Sequence, residues 1–286
     1  MKFMEFWDLQ RELFNLSNIQ HEIIGYSVLG RPIYMFHAGR GQGKRIFIDG
    51  GVHAREYAGS LAIFKLIKFL NENPPEQDIY IVPVVNPDGI ALVLNGLSSI
   101  INPSKKEQLR KINGNEDFSC WKANANAVDI NVNFDAGWGS GVQNVFSPSA
   151  ENFVGCEPNS EPETRAIIKA LVRVKPDMAF SIHTKGEIVY YGFQELSKDR
   201  IEKDREIAEK VADSLGYYPV QSIGSAGGVQ DFISQNFSIP AVTIEMGENS
   251  LSHPIGKEKE EEFFNKLKNL IEDLGGLFES LGVFWF

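Results

Sequence analysis

The feature that most constrains this fold is a strand–helix–strand unit between Arg45 and Val85. Arg45-Ile46-Phe47-Ile48-Asp49 is a short apolar run closed by Gly50-Gly51, the pattern of a buried strand. Tyr57 to Asn71 places Leu61, Ile63, Phe64, Ile67 and Leu70 at helical spacing, and Asp78 to Val85 is again apolar and β-branched. Two strands joined through a helix run parallel. The expected fold class is therefore α/β, a mostly parallel mixed central sheet with helices on both faces. The 286 residues show no internal repeat and no linker, so a single domain over 1–286 is expected, with residues 1–20 as an N-terminal helical extension on its outside.

The other segments fit the same plan. Phe3 to Leu16 carries Phe3, Phe6, Leu9, Leu13 and Phe14 on one helical face, and Glu22–Ser27 with Arg31–His37 reads as a hairpin across Leu29-Gly30. Gly39 to Lys44 lacks the spacing of a phosphate-binding loop and precedes a strand, so it reads as a turn. Asn86-Pro87-Asp88-Gly89 reads as a turn, Asn95 to Ala127 as a long polar loop, and Val128 to Asn133 as an alternating, strand-like stretch. Ser160 with Glu163 predicts a capping box for a helix to Val174. Strands are expected at Asp177–Ile182, Ile188–Tyr191 and Ala241–Ile244, and helices at Asp199–Leu215, Val229–Asn236 and Lys257–Leu281, the last interrupted at Gly275-Gly276.

Composition removes several function classes. A net charge of -10 and a pI near 5.1 argue against a nucleic-acid partner, which needs clustered Lys and Arg. No run of about eighteen apolar residues suggests a membrane span. The acidic, Trp-containing first residues do not read as a secretory signal, so a cytoplasmic protein is expected. Cys120 and Cys156 lack Cys-x-x-Cys spacing, and free thiols fit better than a disulfide framework, with a single bridge between them as the alternative.

Reactive side chains recur where the strands end: His53 and Glu56 after one, Asn86 after the next, His183 after a third and Glu245 after a fourth. In open α/β sheets that edge is where ligands bind. His53, Glu56 and His183 form a close pair plus one distant residue, the ligand set expected for one catalytic Zn²⁺ whose fourth position takes water. The plainer alternatives are a surface His53, a solvated Glu56 and a hydrogen-bonded core His183. Asp129 either accepts the second ring N–H of a ligand histidine or is a turn acid. Glu245 is the expected general base, with an ion-paired structural role as the alternative.

Together these residues resemble the M14 zinc carboxypeptidase family, in which His53-x-x-Glu56 and His183 would hold zinc, Glu245 would be the base and Arg55 would hold substrate. The likeness runs from about Gly25 to Gly247. It is greatest to the bacterial γ-D-glutamyl-meso-diaminopimelate peptidases, on Asn86-Pro87-Asp88-Gly89, Trp121-Lys122-Ala123-Asn124-Ala125, His183-Thr184-Lys185-Gly186-Glu187 and Ala226-Gly227-Gly228 before Asp231-Phe232. The resemblance implies that Lys122 takes the place of an oxyanion-stabilising arginine, and that Asn126, Asn131 and Gln230 join Arg55 on the substrate. Two departures stand out. The family reads Asn-Arg-Asn where this chain has Asn131-Val132-Asn133, and Val132 cannot grip a terminal carboxylate; the subgroup carries Arg where Asn126 stands. Ile223 lies near the place of a substrate-covering tyrosine.

The function expected from sequence is a zinc-dependent metallopeptidase hydrolysing a peptide bond, with γ-D-glutamyl-diaminopimelate bonds of cell-wall peptides as the implied substrate and a peptide as the expected partner. Two other readings use the same residues: a zinc deacylase or amidohydrolase of N-acyl amino acids, and a non-catalytic metal-holding module that binds peptides.

Overall fold

The computed structural model describes residues 1–274 except 42 and 194. Its strands are β1 (Gln20–Tyr26), β2 (Pro32–Ala38), β3 (Arg45–Gly50), β4 (Asp78–Val82), β5 (Met178–His183), β6 (Ile188–Tyr191), β7 (Tyr218–Gln221) and β8 (Ala241–Glu245). They form one eight-stranded sheet in the order β1-β2-β4-β3-β5-β8-β6-β7. The centre, β4-β3-β5-β8, is parallel throughout. The β1–β2 hairpin adds antiparallel strands at one side, and β6 runs antiparallel to β8 at the other. The mixed α/β sheet expected from sequence is therefore present.

The helices are α1 (Phe3–Glu12), α2 (Tyr57–Glu72), α3 (Pro87–Asn95), α4 (Pro103–Asn113), α5 (Pro162–Val174), α6 (Lys198–Leu215), α7 (Val229–Phe237) and α8 (Glu260–Glu272). Phe6 of α1, Leu61 of α2, Val211 of α6 and Phe263 of α8 bury one face of the sheet with Ile46, Ile48 and Ile244. Ile167 and Leu171 of α5 and Ile233 of α7 bury the other face with Phe47 and Ala179. The N-terminal segment is part of the main core, since Phe6 and Leu13 are fully buried. A third cluster joins Leu92, Leu109, Phe118 and Trp121 to Ala54, inside the His53 turn.

Several local expectations are corrected. Asn86-Pro87-Asp88-Gly89 starts α3: the Asn86 side chain accepts the Gly89 N–H at 2.9 Å, and Pro87 occupies the first helical position, where its missing N–H costs nothing. The polar stretch 95–127 contains α4, capped by Asn102 at its start and by left-handed Gly114 at its end. Ile130–Val132 is a short 3₁₀ turn capped by Asp129, because the Asp129 carboxylate takes the Asn131 N–H and bends what alternation alone would leave extended. The capping box at Ser160 does not form: the Ser160 hydroxyl donates to Glu161, and Glu163 faces inward. Strand β7 escaped the sequence reading because Tyr218 and Pro219 are exposed on the sheet's edge. The final helix begins with a 3₁₀ turn at Lys257–Lys259, while Gly275, Gly276 and the stretch to Leu281 lie outside the described residues. Cys120 and Cys156 are free and exposed. Among the described residues no helix is long and apolar enough to cross a membrane.

Asn86 ties this fold to its upper edge. Besides capping α3, its Nδ2 donates to the carbonyls of Val52 at 3.2 Å and Ala123 at 3.1 Å, joining the His53 turn to the segment over it. Asn86→Ala strands all three buried groups, and an unfolding free energy lower by about 2–4 kcal/mol is expected, read as a shifted urea midpoint at unchanged slope.

Candidate metal centre and cleft

The turn after β3 is set by Gly51, whose φ of +62° is left-handed and where a Cβ would lie 2.6 Å from Ser60 Oγ. The chain then reverses through His53, which is extended, into a single 3₁₀ turn, Ala54–Glu56, that runs on into α2. This puts the His53 and Glu56 side chains together, with His53 Nδ1 2.8 Å from Glu56 Oε1. His183, the last residue of β5, brings its Nδ1 to 3.0 Å from Glu56 Oε2 and 3.0 Å from His53 Nδ1. The Thr184 N–H donates to the same Glu56 oxygen at 3.2 Å.

All three side chains are buried, and their donor atoms lie within 4.8 Å of one another. Two imidazole Nδ1 atoms at 3.0 Å leave no room for a proton on each, so at least one lone pair faces the centre. Two nitrogens and a carboxylate oxygen that converge form a donor set suited to a metal, and the group could hold one.

Charges around this centre are balanced in pairs. Burial acts to raise the Glu56 carboxyl, but His53 and His183 hold it well below its usual range. Burial likewise opposes charge on His53, and Glu56 and Asp129 overcome it and raise the imidazole. His53 Nε2 lies 3.4 Å from Asp129 Oδ1, an ion-pair distance without a formed hydrogen bond. The other Asp129 oxygen takes Lys122 Nζ at 2.8 Å, and burial of Asp129 is outweighed by Lys122 and His53, which hold it well below the usual carboxylate range.

Glu245, the last residue of β8, pairs in register with His183. Burial, then the Glu56 charge, pushes its carboxyl up to about 7. It opens on a cavity of about 290 Å³ that His53, Lys122, Asn131, Val132 and Gln230 also line. Arg55 and Asn126 do not line that cavity. The Arg55 guanidinium lies 3.2 Å from Glu151 Oε2 and donates to the Cys120 carbonyl at 3.3 Å. Asn126 accepts from Lys105 and donates to Glu161 at 3.0 Å, serving the loop and not the cleft. Sequence reasoning missed Thr243, Tyr190 and Asn144 on the cavity wall. The period of two along β8 was a sufficient signal for Thr243, two residues before Glu245; nothing local marks Asn144, which a hydrogen bond from Val142 N–H to the Gly224 carbonyl brings to the cleft.

With this geometry in place, comparison with known proteins decides the family. A model described as zinc carboxypeptidase matches residues 12–266. The chain belongs to the zinc carboxypeptidase family. That family is one of metallopeptidase hydrolases. The chain is 28% identical over 279 residues to the Bacillus subtilis protein YqgT, covering 86% of this chain and 73% of the relative. It is 31% identical over 256 residues to a γ-D-glutamyl-L-diamino acid endopeptidase of Lysinibacillus sphaericus, covering 84% of this chain and 63% of that one, so it spans under two thirds of that relative's length. Bovine thrombin-activatable fibrinolysis inhibitor, solved with a tick carboxypeptidase inhibitor, superposes at a TM-score of 0.75 with 18% identity over 98% of both chains, a shared fold.

The segment that carries Lys122 and Asp129 is held from beneath by acids. Asn124 Nδ2 donates to Glu161 at 2.7 Å and to Glu163 at 3.1 Å, and Glu163 also accepts the Val28 N–H at 3.1 Å. Burial, aided by the nearby Asp88 charge, pushes Glu163 up to about 8, so the folded chain holds a proton there that the unfolded chain releases above its ordinary 4.5. The stabilisation tied to this proton is complete below pH 4.5 and is lost as pH rises through about 8. A decline on the order of 4 kcal/mol across that window is expected, and Glu163→Gln should flatten it, measured as urea unfolding free energies at stepped pH.

Proposed function

We propose that this chain is a zinc-dependent peptidase of cell-wall peptides, hydrolysing the γ-D-glutamyl bond to a diaminopimelate-type residue. The observation that carries the reading is the alignment of the buried His53–Glu56–His183 group with Glu245, the register partner of His183 and a wall of the adjoining cavity. The substrate class rests on the 31% identical relative named as a γ-D-glutamyl-L-diamino acid endopeptidase.

In this reading His53, Glu56 and His183 would hold the zinc ion, one per chain. Zinc held there would supply Lewis-acid chemistry at a carbonyl and acidify a nearby water. Glu245, on the wall of the cavity beside this group, takes a proton from the attacking water and returns it to the leaving amine. Asp129 orients His53, and Lys122 fixes Asp129 while bringing positive charge to the cavity wall. Arg55, turned to Glu151 and the Cys120 carbonyl, takes no role on substrate in this reading.

Glu245→Gln keeps the shape of the wall and removes the proton carrier. It is expected to retain one zinc per chain by elemental analysis while hydrolysis of γ-D-glutamyl-diaminopimelate tripeptide falls by about 10²–10⁴-fold. Full activity in that variant would remove Glu245 from the role. Asp129→Asn is expected to weaken zinc binding by about 10–100-fold in a competitive chelator titration.

A further inference from the structure

Resting on the reading of His53, Glu56 and His183 as metal ligands, we propose that Asp49 is the positioning residue for His183, acting through one buried water that Asp49, His183 Nε2 and Thr243 hold between them. Asp49, Ser181 and Thr243 occupy one row across the sheet, Asp49 on β3 opposite Ser181 on β5, and Ser181 opposite Thr243 on β8. Side chains alternate along a strand, so these three share a face with His183 and Glu245, each two residues further along its strand. It is the face of Phe47, Ala179 and Ala241, covered by α5 and α7. Asp49 is 0% exposed, His183 1% and Thr243 4%, so the row lies inside the protein.

Asp49 uses half of its carboxylate. Oδ1 accepts from the Ser181 hydroxyl at 2.7 Å, which turns the group towards β5, while Oδ2 is buried with no partner. A buried carboxylate oxygen left unpaired is costly, and the charge that acts on Asp49 is that of His183. His183 directs Nδ1 to Glu56 and His53 and leaves Nε2 buried, also with no partner. Thr243 Oγ1 is the third such atom. The residue lines the cavity but its hydroxyl oxygen is shielded from solvent, so the hydroxyl points into the protein and away from the cleft.

When His183 offers the Nδ1 lone pair to a metal, its remaining proton lies on Nε2. The three atoms are then one N–H donor, one carboxylate acceptor and one hydroxyl able to act as either. A water accepts from Nε2–H and donates to Asp49 Oδ2 and Thr243 Oγ1, three bonds, the usual complement of a buried water. Through it the Asp49 charge fixes the tautomer of His183 and makes the imidazole a stronger ligand. Asp129 stands behind His53 at 3.4 Å, and Asp49 gives His183 the corresponding support from the neighbouring strand.

Zinc affinity of the full chain, read by competitive chelator titration, is expected to fall about tenfold or more in Asp49→Asn, which keeps the shape and removes the charge. Thr243→Val, which removes only the hydroxyl, should weaken it about threefold or more, and it tests the same water should Asp49→Asn fail to fold by circular dichroism. Because both residues act through one water, the double variant should lose little more than Asp49→Asn alone. Unchanged zinc affinity in folded variants that only unfold at lower urea makes Asp49 a purely structural tie to Ser181 and overturns the inference, as does full additivity of the two losses. A crystal structure of the zinc-free chain gives a readout independent of metal: a solvent molecule within hydrogen-bond distance of Asp49 Oδ2, His183 Nε2 and Thr243 Oγ1 is expected, and Nε2 bonded to any other group overturns the assignment. If that solvent molecule is present in a chain that binds no zinc, the metal reading falls and the Asp49 assignment stands.

Discussion

Glu56 is a carboxylate kept charged in the interior by the two imidazoles beside it, and the upper edge of the sheet depends on that balance. An isolated buried carboxylate costs several kcal/mol, and Glu56 avoids that cost because His53, His183 and the Thr184 N–H all meet its two oxygens. The groups come from two neighbouring parallel strands, β3 and β5, whose register sets Gly50 opposite Ile182. A slip of one residue in β5 would turn His183 to the opposite face and leave Glu56 unpaired. The pairing thus selects the strand register as much as the register builds the site, and Glu245 follows from it as the partner of His183 on β8.

The second layer is built from a segment with little regular structure. Asp129 distributes its oxygens among Lys122, the Asn131 N–H and the Asn152 N–H, and approaches His53 at 3.4 Å. Such a loop holds its shape only if something else pins it. Trp121 and Phe118 supply the apolar anchor, with ring centroids 5.3 Å apart in the cluster that also contains Ala54. The Lys122 carbonyl accepts the Ala54 N–H at 3.0 Å, so the loop and the His53 turn are fastened together.

The sequence made the parallel centre of the sheet legible because its strands are short apolar runs separated by a well-patterned helix, and their ends carried His53, His183 and Glu245 in plain view. It was least informative between 86 and 133. There Asn and Asp side chains make local backbone bonds, so Asn86 and Asn102 start helices and Asp129 bends an alternating stretch, whereas propensity alone suggests turns, loop and strand. The convergence of His53, Glu56 and His183 was readable because strand ends are fixed by the backbone. The cleft wall was not, since Asn126 turns to Lys105 and Glu161 while Asn144 reaches the cavity from a loop held by hydrogen bonds to Gly224 and Asn152, distant in sequence or unmarked by any local pattern.

This difference explains the form of the departure at Asn131-Val132-Asn133. Both flanking asparagines are structural: Asn131 Oδ1 accepts the Val229 N–H at 3.1 Å, starting α7, and Asn133 Oδ1 accepts the Glu161 N–H at 3.1 Å and the Thr164 hydroxyl at 2.8 Å, starting α5. Asn133 Nδ2 also donates to the Val154 carbonyl at 2.8 Å. Replacing either asparagine would unfasten a helix that covers the sheet. Val132, between them, lines the cavity, so its side chain can change what the cleft recognises without disturbing either helix start. The frame of the motif is held by the fold while its centre faces the cavity, which is why the residue at 132 can change without disturbing the His53–Glu56–His183 group or Glu245.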